Sequence, residues 1–150
     1  MSIRIVGPEV EAKLDWLALT RALEAAHSRP RAEVADTLLR RRGDTLLTRS
    51  AWLDGMGIAV KAATIYPENP KAGIAALNGA VNLFRDADGC LEALVDFTLL
   101  TKWKTAGDSL LAAQHLARKD AREVLIVGGG TVALSMVEAY RAGFPGARFT

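Results

Sequence analysis

Gly128-Gly129-Gly130-Thr131-Val132-Ala133 fits the pattern G-x-G-x-x-G/A, a string that works through its backbone rather than its side chains. The first glycine, Gly128, permits a tight turn, and the second, Gly130, lets main chain approach a pyrophosphate. The small Ala133 lets the following helix pack closely on the preceding strand. Amides at the start of that helix, around Thr131 and Val132, then bind the phosphates. A glycine-rich turn without a ligand is the competing reading. The acid that grips the adenosine ribose belongs about 20 residues further on, which arrives at Thr150, so NAD and NADP are not distinguished.

Lys61 is the second candidate. Alternation puts Ala59, Lys61, Ala63 and Ile65 on one face of a strand, so an ammonium stands among apolar neighbours. That is costly unless the group meets an anion or snorkels to solvent. Lys104 and Thr105 share the polar side of a helix with Thr101 and Asp108, and the Lys104 to Asp108 spacing also suits a plain helical salt bridge. His27 and His115 lie far apart without metal-ligand spacing, so no metal is expected. Cys90 follows a turn glycine, has no histidine beside it and reads as an ordinary thiol. No nucleophile elbow or P-loop string occurs.

These residues need elements to position them. Pro8 and Glu9 open a short helix reaching about Leu14, and Asp15 caps a second in which Trp16, Leu19, Leu23 and Ala26 recur at helical spacing to about His27. From Thr37 to Phe97 the period becomes two. Strands 37–41 and 45–52 flank Arg42-Gly43-Asp44, a strand runs from Ile58 to Tyr66, and 77–84 pairs with 91–97 across Asp86-Ala87-Asp88-Gly89. The result is an antiparallel, largely hairpin-linked sheet, with Arg40-Arg41-Arg42 as a solvated hairpin end. Helical period returns over 98–117, with Leu99, Trp103, Ala106, Leu110, Ala113 and Ala117 as its core stripe. Val124-Leu125-Ile126-Val127 reads as a strand buried on both faces, followed by a helix over 131–142 and another strand starting at Ala147. The fold class is α/β: an α+β sheet-and-helix portion over 1–120, then the first strand and helix of a Rossmann domain over 121–150, truncated.

Composition narrows the function classes. Of 150 residues 50% are hydrophobic and 24% charged, a globular profile rather than a disordered one. The net charge of +2 gives no electrostatic footprint for nucleic acid. A single cysteine excludes a disulfide framework and fits a reducing compartment. No apolar run approaches the ~20 residues of a membrane span and no signal-peptide pattern opens the chain, so the cytoplasm is the default.

Two blocks resemble the ornithine cyclodeaminase/mu-crystallin family of NAD(P)-dependent amino-acid and imine oxidoreductases. One runs from Gly57 through Lys61 to Tyr66-Pro67, continuing through Asn69-Pro70 to Gly73 and Asn78-Gly79. The other runs from Leu100-Thr101-Lys102-Trp103-Lys104-Thr105-Ala106 through Ala112-Ala113 and Leu116-Ala117 to the glycine motif at 127–133. The blocks keep family order and spacing, and the likeness extends over nearly the whole chain from Val10. It implies a split catalytic domain joined to a Rossmann domain, chains paired as homodimers through the sheet, and members about twice this length. On that likeness the chain is an amino-terminal half, inactive in isolation.

By the same resemblance Lys61 matches the active-site lysine, binding the substrate carboxylate and polarising or protonating near the imine. Lys104 stands where the family commonly has a carboxylate-holding arginine; lysine keeps the charge but loses the fork. Thr105 would lie near the nicotinamide or phosphates, with Gly128, Gly130, Thr131, Val132 and Ala133 binding the cofactor. Departures weaken the likeness to an ornithine enzyme. The substrate-binding arginine of the first hairpin falls near Asp36, with Arg31 the nearest substitute; Ala76 and Asn78 replace threonine and glutamine, and Val132 replaces a common glutamine. The implied parent is an NAD(P)H-dependent reductase of small cyclic imino acids such as pyrroline-2-carboxylate, forming proline. Ornithine cyclodeaminase, yielding proline and ammonia, is the enzymatic alternative. A non-catalytic binding or assembly module is the alternative of another class.

Overall fold

The computed structural model describes residues 2–150. The chain divides into two compact units. The first comprises the described residues through Val10 together with Pro30–Leu99, and the second Glu11–Arg29 with Leu100–Thr150.

The first unit is a six-stranded sheet. Its strands are β1 (Arg4–Val6), β2 (Glu33–Arg41), β3 (Asp44–Leu53), β4 (Gly57–Ile65), β5 (Leu77–Phe84) and β6 (Leu91–Asp96), in the order β1-β6-β5-β4-β3-β2. Four antiparallel pairings link β2 to β6 in chain order, as the period-two pattern predicts. One pairing was not foreseen: β1, only three residues long, lies parallel to β6, so the sheet is mixed. The first hairpin is also tighter and longer than its residues suggest. Arg42 (φ 51°) and Gly43 (φ 93°) form the whole turn, Asp44 pairs with Arg41, and β2 starts at Glu33 rather than Thr37. Its early residues do not alternate in hydrophobicity, and β3 supplies their partners. The second foreseen turn stands as expected. Asp88 forks onto Arg85 and accepts from the Cys90 amide at 3.0 Å, with Gly89 at φ 66°. Phe97 is not the last strand residue but the first of helix α2 (Phe97–Leu116), and Asp96 accepts from the Leu99 amide at 2.7 Å in this first turn.

The core of this unit lies on one face of the sheet, where Ala63 and Val81 are 3% and 2% exposed. Phe97 is buried there, and Gly79 makes room for its ring. The β2 edge carries exposed Val34, Leu38 and Leu39.

The second unit is helical at its centre. A 3₁₀ segment, Pro8–Lys13, lies where the short helix was expected and spans the division between the units. Helix α1 (Trp16–His27) is capped by Asp15, whose carboxylate accepts from the Ala18 amide at 2.7 Å. Trp16 stacks on Trp103 with ring centroids 3.8 Å apart, and Ala106 and Leu110 of α2 are fully buried. Strand β7 (Glu123–Val124), helix α3 (Thr131–Gly143) and strand β8 (Arg148–Phe149) then form a βαβ unit whose two strands are parallel. The run Val124–Val127 is not buried on both faces: Leu125 and Val127 are exposed, because a two-stranded sheet gives them no neighbour to pack against. No helix among the described residues is long and apolar enough to cross a membrane.

Candidate functional site

The glycine string leaves β7 and enters α3. Gly128 has φ 118°, a backbone state that side chains rarely adopt, so the turn requires glycine there. A Cβ built on Gly128, Gly129 or Gly130 would meet nothing within 4 Å, leaving an open cradle along the loop. Gly130 is the N-cap of α3 in extended conformation, and no side chain caps the helix. The first-turn amides are therefore available to an anion, and the helix dipole favours one. Gly128, Gly130, Thr131, Val132 and Ala133 all line one cleft of about 570 Å³, together with Ser109 and Tyr140. Those last two are joined: the Ser109 and Tyr140 hydroxyls lie 3.0 Å apart, fixing one wall. A loop with space where side chains would stand and uncapped amides at its end fits the pyrophosphate of a dinucleotide.

Lys61 belongs to the other unit, at the middle of β4. Its Nζ lies 4.8 Å from the centroid of the Phe97 ring, a cation over an aromatic face. The neighbours across the sheet are Arg49 on β3 and Val81 on β5. Arg49 in turn pairs with Asp36 on β2, and the guanidinium forks onto the carboxylate, Nε to Oδ1 at 2.7 Å and Nη2 to Oδ2 at 2.5 Å. The Arg49 hydrogen bonds hold the Asp36 carboxyl below its ordinary value. Asp36, near which the family resemblance expects an arginine, thus holds an arginine from the next strand. Sequence reading missed Arg49. The signal was present in the two tight hairpins, which set the register and bring positions 36, 49 and 61 into one row.

Lys104 and Thr105 lie on α2 and do not line the glycine cleft. Lys104 is exposed and ion-paired with Asp108, the helical salt bridge its spacing allowed. Thr105 is half-buried. On the same polar side, Thr101 Oγ1 is buried without a hydrogen-bond partner. The neighbouring Lys102 makes a stronger cluster. Its Nζ lies 2.7 Å from Glu11 Oε1, which also accepts from Trp103 Nε1 at 2.9 Å, and Glu138 approaches Lys102 at 3.6 Å. The hydrogen bond from Lys102, then that from Trp103, pulls the Glu11 carboxyl below its ordinary value, and Glu11 pushes Lys102 up. His115 sits 3.1 Å from Glu24, and no group of three metal-ligating side chains occurs among the described residues.

Comparison with known proteins agrees with this arrangement. The chain is 42% identical over 138 residues to the Delta(1)-pyrroline-2-carboxylate reductase of Paracoccus denitrificans, covering 92% of this chain and 44% of that protein. It therefore spans about half the length of that relative. An archaeal alanine dehydrogenase dimer with bound NAD superposes with a TM-score of 0.83 at 27% identity, over 96% of this chain and 46% of that one. The Delta(1)-pyrroline-2-carboxylate reductase of Thermococcus litoralis, in complex with NADH and L-proline, shares the fold with a TM-score of 0.79 at 23% identity, over 91% and 45% of the two chains. The family model for ornithine cyclodeaminase/mu-crystallin proteins matches residues 5–148, taking in the Lys61 strand and the glycine loop together. The chain belongs to the ornithine cyclodeaminase/mu-crystallin family.

Proposed function

We propose that this chain contributes the substrate-binding sheet and the first nucleotide-binding βαβ unit of an NAD(P)H-dependent reductase of small cyclic imino acids, of the pyrroline-2-carboxylate kind, forming proline. In this reading residues 1–120 are the substrate and dimerisation portion and 121–150 begin the Rossmann domain. The observation that carries it is the 42% identity to the Paracoccus denitrificans reductase, which extends over 92% of the chain.

The nicotinamide cofactor, when bound, supplies a hydride to the imine carbon. The residues of the chain hold and orient. Gly128 turns the backbone, Gly130 leaves room for the pyrophosphate, and the amides of Thr131, Val132 and Ala133 take its charge. Thr105 is assigned to the cofactor side on the family likeness. Lys61 binds the substrate carboxylate and keeps a proton near the imine nitrogen, which gains one as the carbon gains hydride. Its place over the Phe97 ring supports that role, because the ring face favours the charged ammonium. Lys104 is the second carboxylate ligand by resemblance, and its charge is at present shared with Asp108.

The protein is proposed to act as a homodimer, supported by exposed Ile5, Leu39 and Trp52 on one face of the sheet and by the dimeric alanine dehydrogenase of like fold. A cytoplasmic location is proposed on the single cysteine.

The test joins residues 1–150 to the part of the Paracoccus denitrificans relative that this chain does not match. The fusion is expected to oxidise NADH or NADPH with Δ1-pyrroline-2-carboxylate and to form proline. Lys61→Met should lower kcat/KM roughly ten- to hundredfold, the effect of losing one charge-assisted contact, with cofactor affinity unchanged. Ammonia release from ornithine without imine reduction would replace this reading with the cyclodeaminase. A folded, NADH-binding fusion that turns over neither substrate would leave only a binding or assembly role.

A further inference from the structure

Asp36, Arg49 and Lys61 stand in register on three successive strands, β2, β3 and β4. Residues opposed in antiparallel pairing point to the same face, with Cβ atoms about 4.5 to 5.5 Å apart, so the three side chains form one charged row across the sheet. The row has an order: carboxylate at the β2 end, guanidinium in the middle, ammonium at β4. Asp36 engages Nε and Nη2 of Arg49. A guanidinium has five N–H donors in a rigid fork, so this grip orients the group and leaves the donors of its other edge unengaged by Asp36. Arg49 and Asp36 remain within reach of a small molecule, with side chains 61% and 42% exposed.

We propose that Arg49 is a substrate-binding residue, sharing the carboxylate of the imino acid with Lys61 on the neighbouring strand, and that Asp36 is the positioning residue that holds its guanidinium in place. This rests on the reading of Lys61 as a carboxylate ligand and extends it to a residue that neither the glycine motif nor the family blocks single out. The chemistry is that of a planar carboxylate received by a guanidinium edge on one strand and an ammonium on the next. A bare cross-strand ion pair would serve only folding, and an exposed pair of that kind contributes little. The row does more than pair charges, because its two cations lie side by side. Opposed positions on adjacent strands bring their side chains within reach of one another, so one carboxylate bound across the row can meet both the guanidinium and the ammonium.

The experiment measures binding of pyrrole-2-carboxylate, a planar five-membered analogue, and of its neutral carboxamide to the 150-residue chain by calorimetry. Amide NMR spectra check that each variant is folded. The unsubstituted chain should prefer the carboxylate. Arg49→Gln should weaken the carboxylate about tenfold or more while leaving the carboxamide unchanged, and Arg49→Lys should recover part of the loss. Asp36→Asn, which frees the guanidinium without removing it, should weaken the carboxylate by less than Arg49→Gln. Should Arg49→Gln fail to fold, the double variant Asp36→Leu with Arg49→Leu removes both charges of the ion pair together and leaves no unpaired partner, and the same loss is expected. If Lys61→Met loses the carboxylate while Arg49→Gln or the double variant binds it normally, Arg49 is a folding contact only and this inference is overturned, with the Lys61 reading intact. If the unsubstituted chain does not distinguish carboxylate from carboxamide, both readings fall.

Discussion

Gly79 lies so close to Phe97 that a Cβ on the glycine would stand 2.6 Å from Cδ2 of the ring. The same Cβ would be 2.2 Å from the carbonyl oxygen of Ala62, a backbone atom that cannot swing aside. Because Lys61 Nζ rests over that ring, the glycine determines where the candidate ligand can sit. Gly79→Ala is therefore expected to destabilise the sheet unit by about 1 to 3 kcal/mol, as overpacking does. Urea unfolding of the variant beside the unsubstituted chain measures it, and equal midpoints would show that the strand gives way freely.

The Glu11 cluster makes stability depend on pH. The Glu11 carboxyl is held below its ordinary 4.5 by Lys102 and Trp103, so the unfolded state binds more protons in that window. Its contribution is full above about pH 4.5 and is lost as pH falls through the lowered folded value. Lys102 works on the other limb: raised from 10.5, it contributes fully below that value and loses the contribution as pH rises through its folded one. Glu11→Gln should cost on the order of 1 kcal/mol at neutral pH, and the difference should shrink in acid. Urea midpoints at several pH values test this, with Trp103 fluorescence as a local reporter of its bond to Glu11. A gap that stays constant into acid would mean that the carboxylate charge is not what matters.

Two glycines of the cofactor loop should separate folding from binding. Gly128→Ala forces a side chain into φ 118° and should cost roughly 1 to 2 kcal/mol. Gly130 is extended and a Cβ there meets no atom within 4 Å, so Gly130→Ala should stay within about 1 kcal/mol of the parent. Its methyl enters the space proposed for the pyrophosphate, and NADH affinity should fall about tenfold or more. Thermal unfolding and NADH fluorescence titration read the two effects apart. Normal NADH binding by Gly130→Ala would remove the cradle from the site.

The exposed side chains of the sheet make self-association the expected state. Leu39, 60% exposed, shares a face with Trp52 and Ile5, and such an apolar patch favours pairing of copies. Sedimentation velocity at micromolar concentration should show a dimer, and Leu39→Glu should weaken it at least tenfold by placing a charge in the contact. A well-folded monomer without the substitution would count against pairing through this face.

The elements most legible in the residues are those decided over a few positions. Asp15 caps α1 because one carboxylate reaches an amide three residues on. Asp86-Ala87-Asp88-Gly89 turns because Asp88 bonds locally to Arg85 and Cys90. The glycine string announces its own turn, and Lys104 with Asp108 its own ion pair. Alternation from Thr37 to Phe97 also identified the sheet and the odd place of Lys61, since a period of two needs no knowledge of partners.

Tertiary pairing decided the rest. Arg4–Val6 is too short to signal a strand and becomes one only because β6 accepts it in parallel. Glu33–Asp36 has no clean alternation and is extended because β3 completes its hydrogen bonds. Leu125 and Val127 have the composition of a buried strand yet lie exposed, since burial is a property of what packs on a residue. Arg49 is the sharpest case. Nothing in its immediate neighbours marks it, and its place between Asp36 and Lys61 arises from two hairpin registers taken together. Periodicity and turn chemistry are local and so can be read from the chain itself, whereas a row across three strands exists only after long-range pairing has set which residues face one another.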